Sequence, residues 1–193
     1  MLCLELPDWI GEFVRPDDVL ANRDDRMRLA IRLAAENVAR ATGGPFGAAV
    51  FERETGRIVS VGVNVVVPSA CSLAHAEAIA LALAQRAMKS QDLAAAGLPP
   101  MELVCSAQPC CQCYGMVWLS GVRGLVVGAR GEDVASIAGF REGPLPPDWD
   151  GLLRHRSDLP AVPVECDVLR EEALAPLIAF RDSGRPAYNP GGM

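Results

Sequence analysis

The chain lacks the features that draw a protein to nucleic acid or to a membrane. Basic residues are outnumbered, 18 Lys and Arg against 24 Asp and Glu, which leaves a formal net charge of -6 and a sequence pI of about 5.0. An acidic chain is a poor partner for phosphate backbones or anionic lipid. The arginines are scattered or strung along one helix (Arg23, Arg26, Arg28, Arg32, Arg40) and form no nucleic-acid tract. Every apolar run is broken by Gly, Pro or charge well short of a membrane span. The start, Met1 to Glu5, has no basic n-region and no long apolar stretch, so no signal peptide is expected and the chain is read as cytoplasmic. Internal repeats are absent, and the Gly- and Pro-rich tail is the only low-complexity stretch.

What is present is a large apolar fraction, 50% of 193 residues, which argues for a packed core and against disorder. The length suits one domain over residues 1–193, with a core at 24–181, an N-terminal arm at 1–23 and a tail at 182–193. The seven cysteines are an odd count, and three of them crowd into residues 110–113. In a reducing compartment that crowding suggests metal and not disulfides. Cys3, Cys105 and Cys166 read as small buried apolar residues.

In the arm, Trp9, Ile10 and Phe13 between Pro7 and Pro16 suggest a short helix or an irregular segment packed on the body. A three- and four-residue apolar step predicts a helix over 24–41, capped by Asp24 and stopped by Gly43-Gly44. Residues 45–52 and 57–67 read as a β-hairpin turning at 54–56. An Ala- and Leu-rich helix follows at 74–90, then a strand at 101–106. Pro109 suits a first helical turn, giving a helix over 109–119. A strand at 122–128, a short helix at 132–137, a loop at 143–147, a strand at 161–166 and a helix at 167–181 complete the order. This alternation predicts an α/β fold with one central sheet covered by helices on both faces. His155 reads as part of a solvated loop; Trp149 either packs a loop down or borders a pocket. The tail beyond residue 182 is either mobile or laid down as a flap, with Tyr188 and Asn189 able to close over a bound base.

Two short stretches carry the chemistry. His75-Ala76-Glu77 offers an imidazole and a carboxylate, and Pro109-Cys110-Cys111-Gln112-Cys113 offers two thiols three positions apart. Cys110 and Cys113 share a face in a first turn, whereas residues 75 and 77 converge on one point only if a helix begins there. Two helix N-termini would then meet at one zinc, where their dipoles favour thiolates. His75, Cys110 and Cys113 are three ligands of the kind catalytic zinc takes, leaving the fourth tetrahedral position to a water or hydroxide. Glu77, left free of the metal, would move the proton. A closed structural site would need a fourth protein ligand; Cys111 is badly placed for that, and Cys71 lies near enough in sequence to be considered.

Neither Cys-x-x-Cys nor His-x-Glu is specific alone. Their combination, with Pro109 before the first thiol and Cys110 35 positions after His75, matches the signature of zinc-dependent nucleobase deaminases. The chain resembles the cytidine deaminase-like superfamily. Gly43-Gly44-Pro45-Phe46-Gly47-Ala48 and Gly62-Val63-Asn64 are most similar to bacterial guanine deaminases, and the resemblance spans roughly residues 28–180. It implies a three-layer α-β-α fold with a five-stranded mixed sheet, one zinc ion per subunit, a homodimer and a small-molecule base as substrate. It further implies that Asn64 hydrogen-bonds the base, that Phe46 walls the pocket, that His75 stacks on the base, and that the Ala76 N–H contacts the ring. The stretch Gly139-Phe140-Arg141-Glu142-Gly143-Pro144 is similar to the segment that, in a guanine- and ammeline-acting branch, presents a glutamate to the substrate's amino edge. That puts Glu142, with Phe140, among the substrate-binding residues. Plainer readings stand beside these: Asn64 ending a strand, Phe46 in the core, Glu142 a solvated loop charge. The chain departs from the family at Gln108, where Glu is usual, and at Cys111 and Tyr114. The expected reaction is hydrolysis of guanine, or of a related aminopurine or amino-triazine such as ammeline, to the oxo product and ammonia. The rivals are deamination of guanosine or cytidine, deamination of tRNA adenosine, and a non-enzymatic zinc-stabilised interaction module.

Overall fold

The structure is a computed structural model that describes residues 5–15 and 18–191. Cys3 and Pro16 lie outside the described residues, as do the last two residues of the tail. Three layers are present. A five-stranded mixed sheet, ordered β2-β1-β3-β4-β5, separates two groups of helices. Along β1 the apolar residues alternate between the two faces, Ala48 and Val50 on one and Ala49 and Phe51 on the other.

Helix α1, Ile10–Phe13, places Trp9 and Ile10 in the core, so the arm packs on the body through a short helix. Helix α2, Arg23–Ala39, is capped by Asn22 and not by Asp24. The Asn22 side chain accepts from the Asp24 N–H at 2.7 Å, so the cap sits two residues earlier than the apolar step suggests. Strands β1, Gly47–Glu52, and β2, Ile58–Val63, form the antiparallel hairpin, with a register shift between Val50 and Phe51. The second strand is shorter than expected. It stops at Val63, and Val66–Ser69 forms a short helix, α3. The Asn64 Oδ1 accepts from the Val66 N–H at 3.3 Å, and this local bond turns a β-branched run away from the sheet.

Helix α4, Ala76–Met88, packs against β2 and β1. Strand β3, Met101–Ala107, pairs antiparallel with β1 and parallel with β4, Gly124–Ala129. Between them runs α5, Cys111–Ser120, for which Cys110 is the N-cap; Pro109 therefore precedes the helix and is not in its first turn. Helix α6, Gly131–Asp133, passes into a π-helical turn, Val134–Ala138. Helix α7, Trp149–Arg154, was not expected from the sequence; Leu153 is fully buried in the core and Trp149 packs against it. His155 is exposed, as expected, but as the C-cap of this helix. Strand β5 has only two residues, Val164–Glu165, hemmed in by Pro160 and Pro163. Helix α8, Arg170–Asp182, closes the fold. Cys105 is buried as expected, but Cys166 is exposed beyond the end of β5.

Helices α2 and α8 cover one face of the sheet, and α4, α5 and α7 cover the other. The free side of β2 is partly guarded by the segment before α2. Val19 bridges Arg57, the Ile58 N–H donates to Asp18 O at 2.8 Å, and the Leu20 N–H donates to Gly56 O at 2.8 Å. No helix among the described residues is long and apolar enough to cross a membrane.

Candidate active site

The first turns of α4 and α5 meet as the spacing of their residues predicts. His75 is the N-cap of α4, with extended backbone (φ -75°, ψ 155°), and Cys110 is the N-cap of α5 (φ -67°, ψ 175°). Their side chains leave the helix ends toward one another. The His75 Nδ1 lies 3.5 Å from the Sγ of both Cys110 and Cys113, and all three donor atoms lie within 4.8 Å of one another. One nitrogen and two sulfurs at this spacing form a donor set that fits zinc, with His75 part-buried and both cysteines buried. Among the described residues this is the one such cluster. Neither Cys71 nor the exposed Cys111 is in it.

Charge in the cluster is strongly coupled. The Cys110 thiol is lowered to about 4, chiefly because Cys113 donates to its sulfur, with His75 assisting. Cys113 is correspondingly pushed up, by that same hydrogen bond, by burial and by the Glu77 charge. Burial pulls the His75 imidazole down, but the Cys110 thiolate and the Glu77 and Glu142 carboxylates outweigh it and raise it. The pattern is one thiol lowered, its neighbour raised and an imidazole raised beside them. It is the proton distribution expected of ligands poised to exchange protons for a dication.

Glu77 is at the second position of α4, 8% exposed, and belongs to no ligand cluster. Its carboxyl is raised by burial and by the Cys110 thiolate, partly opposed by His75, its own N–H and the Cys113 thiol. Amides in the first turn of a helix have no intrahelical acceptor, and the Glu77 N–H takes its own carboxyl as partner. Close packing sets this geometry. A Cβ on Gly62 of β2 would lie 2.1 Å from the Ala76 O, so only glycine lets α4 approach the sheet this closely.

A cavity of about 640 Å³ opens over the cluster. Asn64, Phe46, Phe140 and Glu142 all line it, together with His75, Glu77 and Cys110. Asn64 is 7% exposed. The Phe46 and Phe140 rings meet edge to face at 5.0 Å, and Phe140 packs on Phe180 at 5.2 Å. The Glu142 carboxyl is pushed up to about 8, by burial first and then by the nearby Cys110 and Glu77 charges. It is therefore a cavity carboxyl and not a solvated loop charge. The segment holding it is tied to the thiol turn: the Cys111 N–H donates to the Glu142 O at 2.9 Å, and a Cβ on Gly143 (φ +74°) would lie 2.5 Å from the Cys111 Sγ.

Of the departures, Gln108 also lines the cavity, and its Oε1 accepts from the Gly131 N–H at 3.1 Å. The Tyr114 ring packs against Trp118 and Trp149, so Trp149 holds its own segment down and does not border the cavity. Phe180, Arg185 and Pro186 also line the cavity and carry no signal in the sequence, whereas Tyr188, which lines it too, is one of the two tail residues read as able to close over a base. The tail is laid down. Arg185 donates to Val38 O at 2.8 Å, and Asn189 joins Gly139 O at 3.0 Å and the Arg141 N–H at 2.8 Å. Only long-range folding brings these residues to the cavity; the one hint in the sequence was Tyr188-Asn189 in a Pro- and Gly-rich end.

Residues 21–129 match the family described as the cytidine and deoxycytidylate deaminase zinc-binding region, and the chain belongs to that family. Within it, the chain is similar to a solved guanine deaminase of Nitrosomonas europaea: 44% identical, TM-score 0.88, over 94% of this chain and 97% of that one. A solved complex with 2,6-diaminopurine is also 44% identical, with TM-score 0.89 over 97% of this chain and 96% of that one. The guanine deaminase of Bacillus subtilis is 34% identical over 119 residues, 62% of this chain and 71% of that protein. The fold is thus the cytidine deaminase-like one, and the chain is a zinc-dependent hydrolytic deaminase of the guanine deaminase-like kind.

Proposed function

We propose that the chain forms one catalytic domain that hydrolyses guanine, or a closely related aminopurine or amino-triazine such as ammeline, to the oxo product and ammonia. One observation carries the reading: a buried carboxylate, Glu77, lies beside a His–Cys–Cys donor set on the floor of an aromatic-walled cavity. His75, Cys110 and Cys113 would hold zinc, which supplies the Lewis acidity that makes water a nucleophile near neutral pH. Glu77 takes a proton from the attacking water and passes it to a ring nitrogen. It then gives the second water proton to the amino group, which leaves as ammonia while the ring carbon becomes a carbonyl. The raised Glu77 carboxyl suits this, because a proton shuttle must both take and release.

Phe46 and Phe140 would wall the pocket, and His75 would stack on the base. The Ala76 N–H and Asn64 would hydrogen-bond the base, and Glu142 would read the N1–H and 2-amino edge of guanine. A buried polar pair left unmatched by the wrong base penalises it strongly. The 2,6-diaminopurine complex of the similar protein supports a small-molecule base as ligand. The acidic charge supports that over nucleic acid. The same charge and the absence of a spanning helix among the described residues agree with a cytoplasmic enzyme. An exposed uncharged stripe on α5 (Cys111, Gly115, and Leu119 at 77% exposure) supports a homodimer, which sedimentation would reveal.

The test is ammonia release from guanine, adenine, cytosine, guanosine, cytidine and ammeline by the zinc-loaded protein and by Glu77→Gln. Guanine is expected to rank first, and the variant to keep its zinc while losing about 10²- to 10⁴-fold in kcat. Guanine ranking behind a pyrimidine nucleoside would overturn the substrate, and full turnover by Glu77→Gln would remove the proton shuttle.

A further inference from the structure

A chain of hydrogen-bonded polar groups, half-buried at Thr42 and fully buried at Asn37, runs from the N-terminal arm to the cavity wall. The Trp9 indole N–H donates to the Thr42 Oγ1 at 3.1 Å, and the Thr42 hydroxyl donates to the Asn37 Oδ1 at 2.7 Å. The Asn37 Nδ2 then donates twice, to the Gly44 O and to the Asn64 O, both at 2.8 Å. Asn37 is fully buried on α2, and its carboxamide spends every one of these bonds outside its own helix. Its orientation is fixed, because two carbonyl oxygens need the NH₂ end and the Thr42 hydroxyl supplies the donor for the other. The donors all point one way, an arrangement in which each bond polarises the next.

The two carbonyls belong to the two segments that wall the cavity. Gly44 leads into Phe46, whose N–H returns to the Gly44 O at 2.9 Å; the Asn64 N–H donates to the Phe46 O at 3.2 Å. Nothing else fits between them: a Cβ on Gly43 would lie 1.8 Å from the Asn64 O and 2.7 Å from the Asn37 Nδ2. The Asn64 side chain faces the cavity from a backbone that Asn37 holds by its carbonyl.

We propose that Asn37 is a positioning residue that sets the base-contacting amide of Asn64, and that Trp9 and Thr42 orient it. The inference rests on the reading of Asn64 as a contact to the base. Removing the Thr42 hydroxyl leaves the Asn37 Oδ1 buried without its donor, so the carboxamide is held only by its two Nδ2 bonds, which loosens Asn64 without touching zinc or Glu77.

The test uses the zinc-loaded protein and whichever base ranks first in the panel above, so a wrong substrate and a wrong role for Asn37 are told apart. Thr42→Val keeps shape and loses the hydroxyl; Thr42→Ser keeps the hydroxyl. Thr42→Val is expected to raise KM by about tenfold, the effect of one buried polar group left unpaired, with kcat and zinc content little changed. Thr42→Ser is expected to restore KM. In an Asn64→Ala background Thr42→Val should add nothing further to KM, because its effect passes through Asn64. An equal effect of Thr42→Val with and without Asn64, a fall in melting temperature with KM unmoved, or an Asn64→Ala variant with wild-type KM would each overturn the proposal.

Discussion

Gly62→Ala is a change of one methyl group in a strand, and it should disable a site that the residue does not touch. The added Cβ would sit 2.1 Å from the Ala76 O and 2.7 Å from the Ala80 N, where 3.0 Å is the practical minimum. Both obstacles are helix backbone, which cannot swing aside as a flexible side chain can. The first turn of α4 must therefore retreat by about 0.9 Å, and it carries Glu77 with His75 at its cap. Overpacking of this kind costs about 1–3 kcal/mol of stability. A reacting group displaced by about 1 Å costs about 10²-fold in rate. Ammonia release at saturating guanine, with zinc content and melting temperature measured on the same sample, is the assay. Gly128→Ala is the control: its Cβ would meet the Ser106 O at 2.6 Å and the Ala173 side chain at 2.9 Å, on the sheet face away from α4 and α5. It should lose stability and keep kcat near that of the parent chain. Gly62→Ala with unaltered kcat would refute the argument that glycine at this contact sets the geometry of the site.

Two further outcomes are expected. With its carboxyl raised to about 8, Glu142 stays protonated in the folded metal-free protein at pH values where the unfolded chain has released that proton. Its contribution is full below the unfolded value, and stability falls as pH rises toward about 8. Chelator-treated Glu142→Gln should show a flatter decline in melting temperature over that window than the parent chain, and equal slopes would contradict it. Gln108→Ala removes the acceptor for the Gly131 N–H and should cost about 1 kcal/mol in thermal unfolding. Gln108→Glu keeps an oxygen there and should cost much less.

The site was legible in the sequence where chemistry and helix ends coincide. His75 and Cys110 sit at N-caps because Pro68 to Ser72 and Gln108-Pro109 stop the chain just before apolar helical periods begin, and the combination of the two motifs marks them as ligands. The paired strands β1, β3 and β4 were equally open, being short apolar runs between breakers. Where the reading failed, a side-chain contact decided, near in sequence in one case and far in the others. Val65 to Val67 looks like strand, yet the Asn64 side chain folds it into α3. Residues 149–154 look like loop, yet the place in the core that Leu153 occupies makes them a helix. Phe180 and Arg185 reach the cavity from more than 130 residues beyond Phe46, a proximity that no local pattern encodes.

The strip of chain at Asp18 to Leu20 has a consequence for how this protein can be shortened. It occupies hydrogen-bonding groups on the outer rim of the sheet at Gly56 and Ile58. A version trimmed to begin at residue 21 would keep every ligand and the whole cavity floor, yet it would bare those amide and carbonyl groups to the next molecule in solution. Unpaired strand rims recruit one another. Such a truncation should show turbidity at high protein concentration, and because it also removes Trp9 it should raise KM as well.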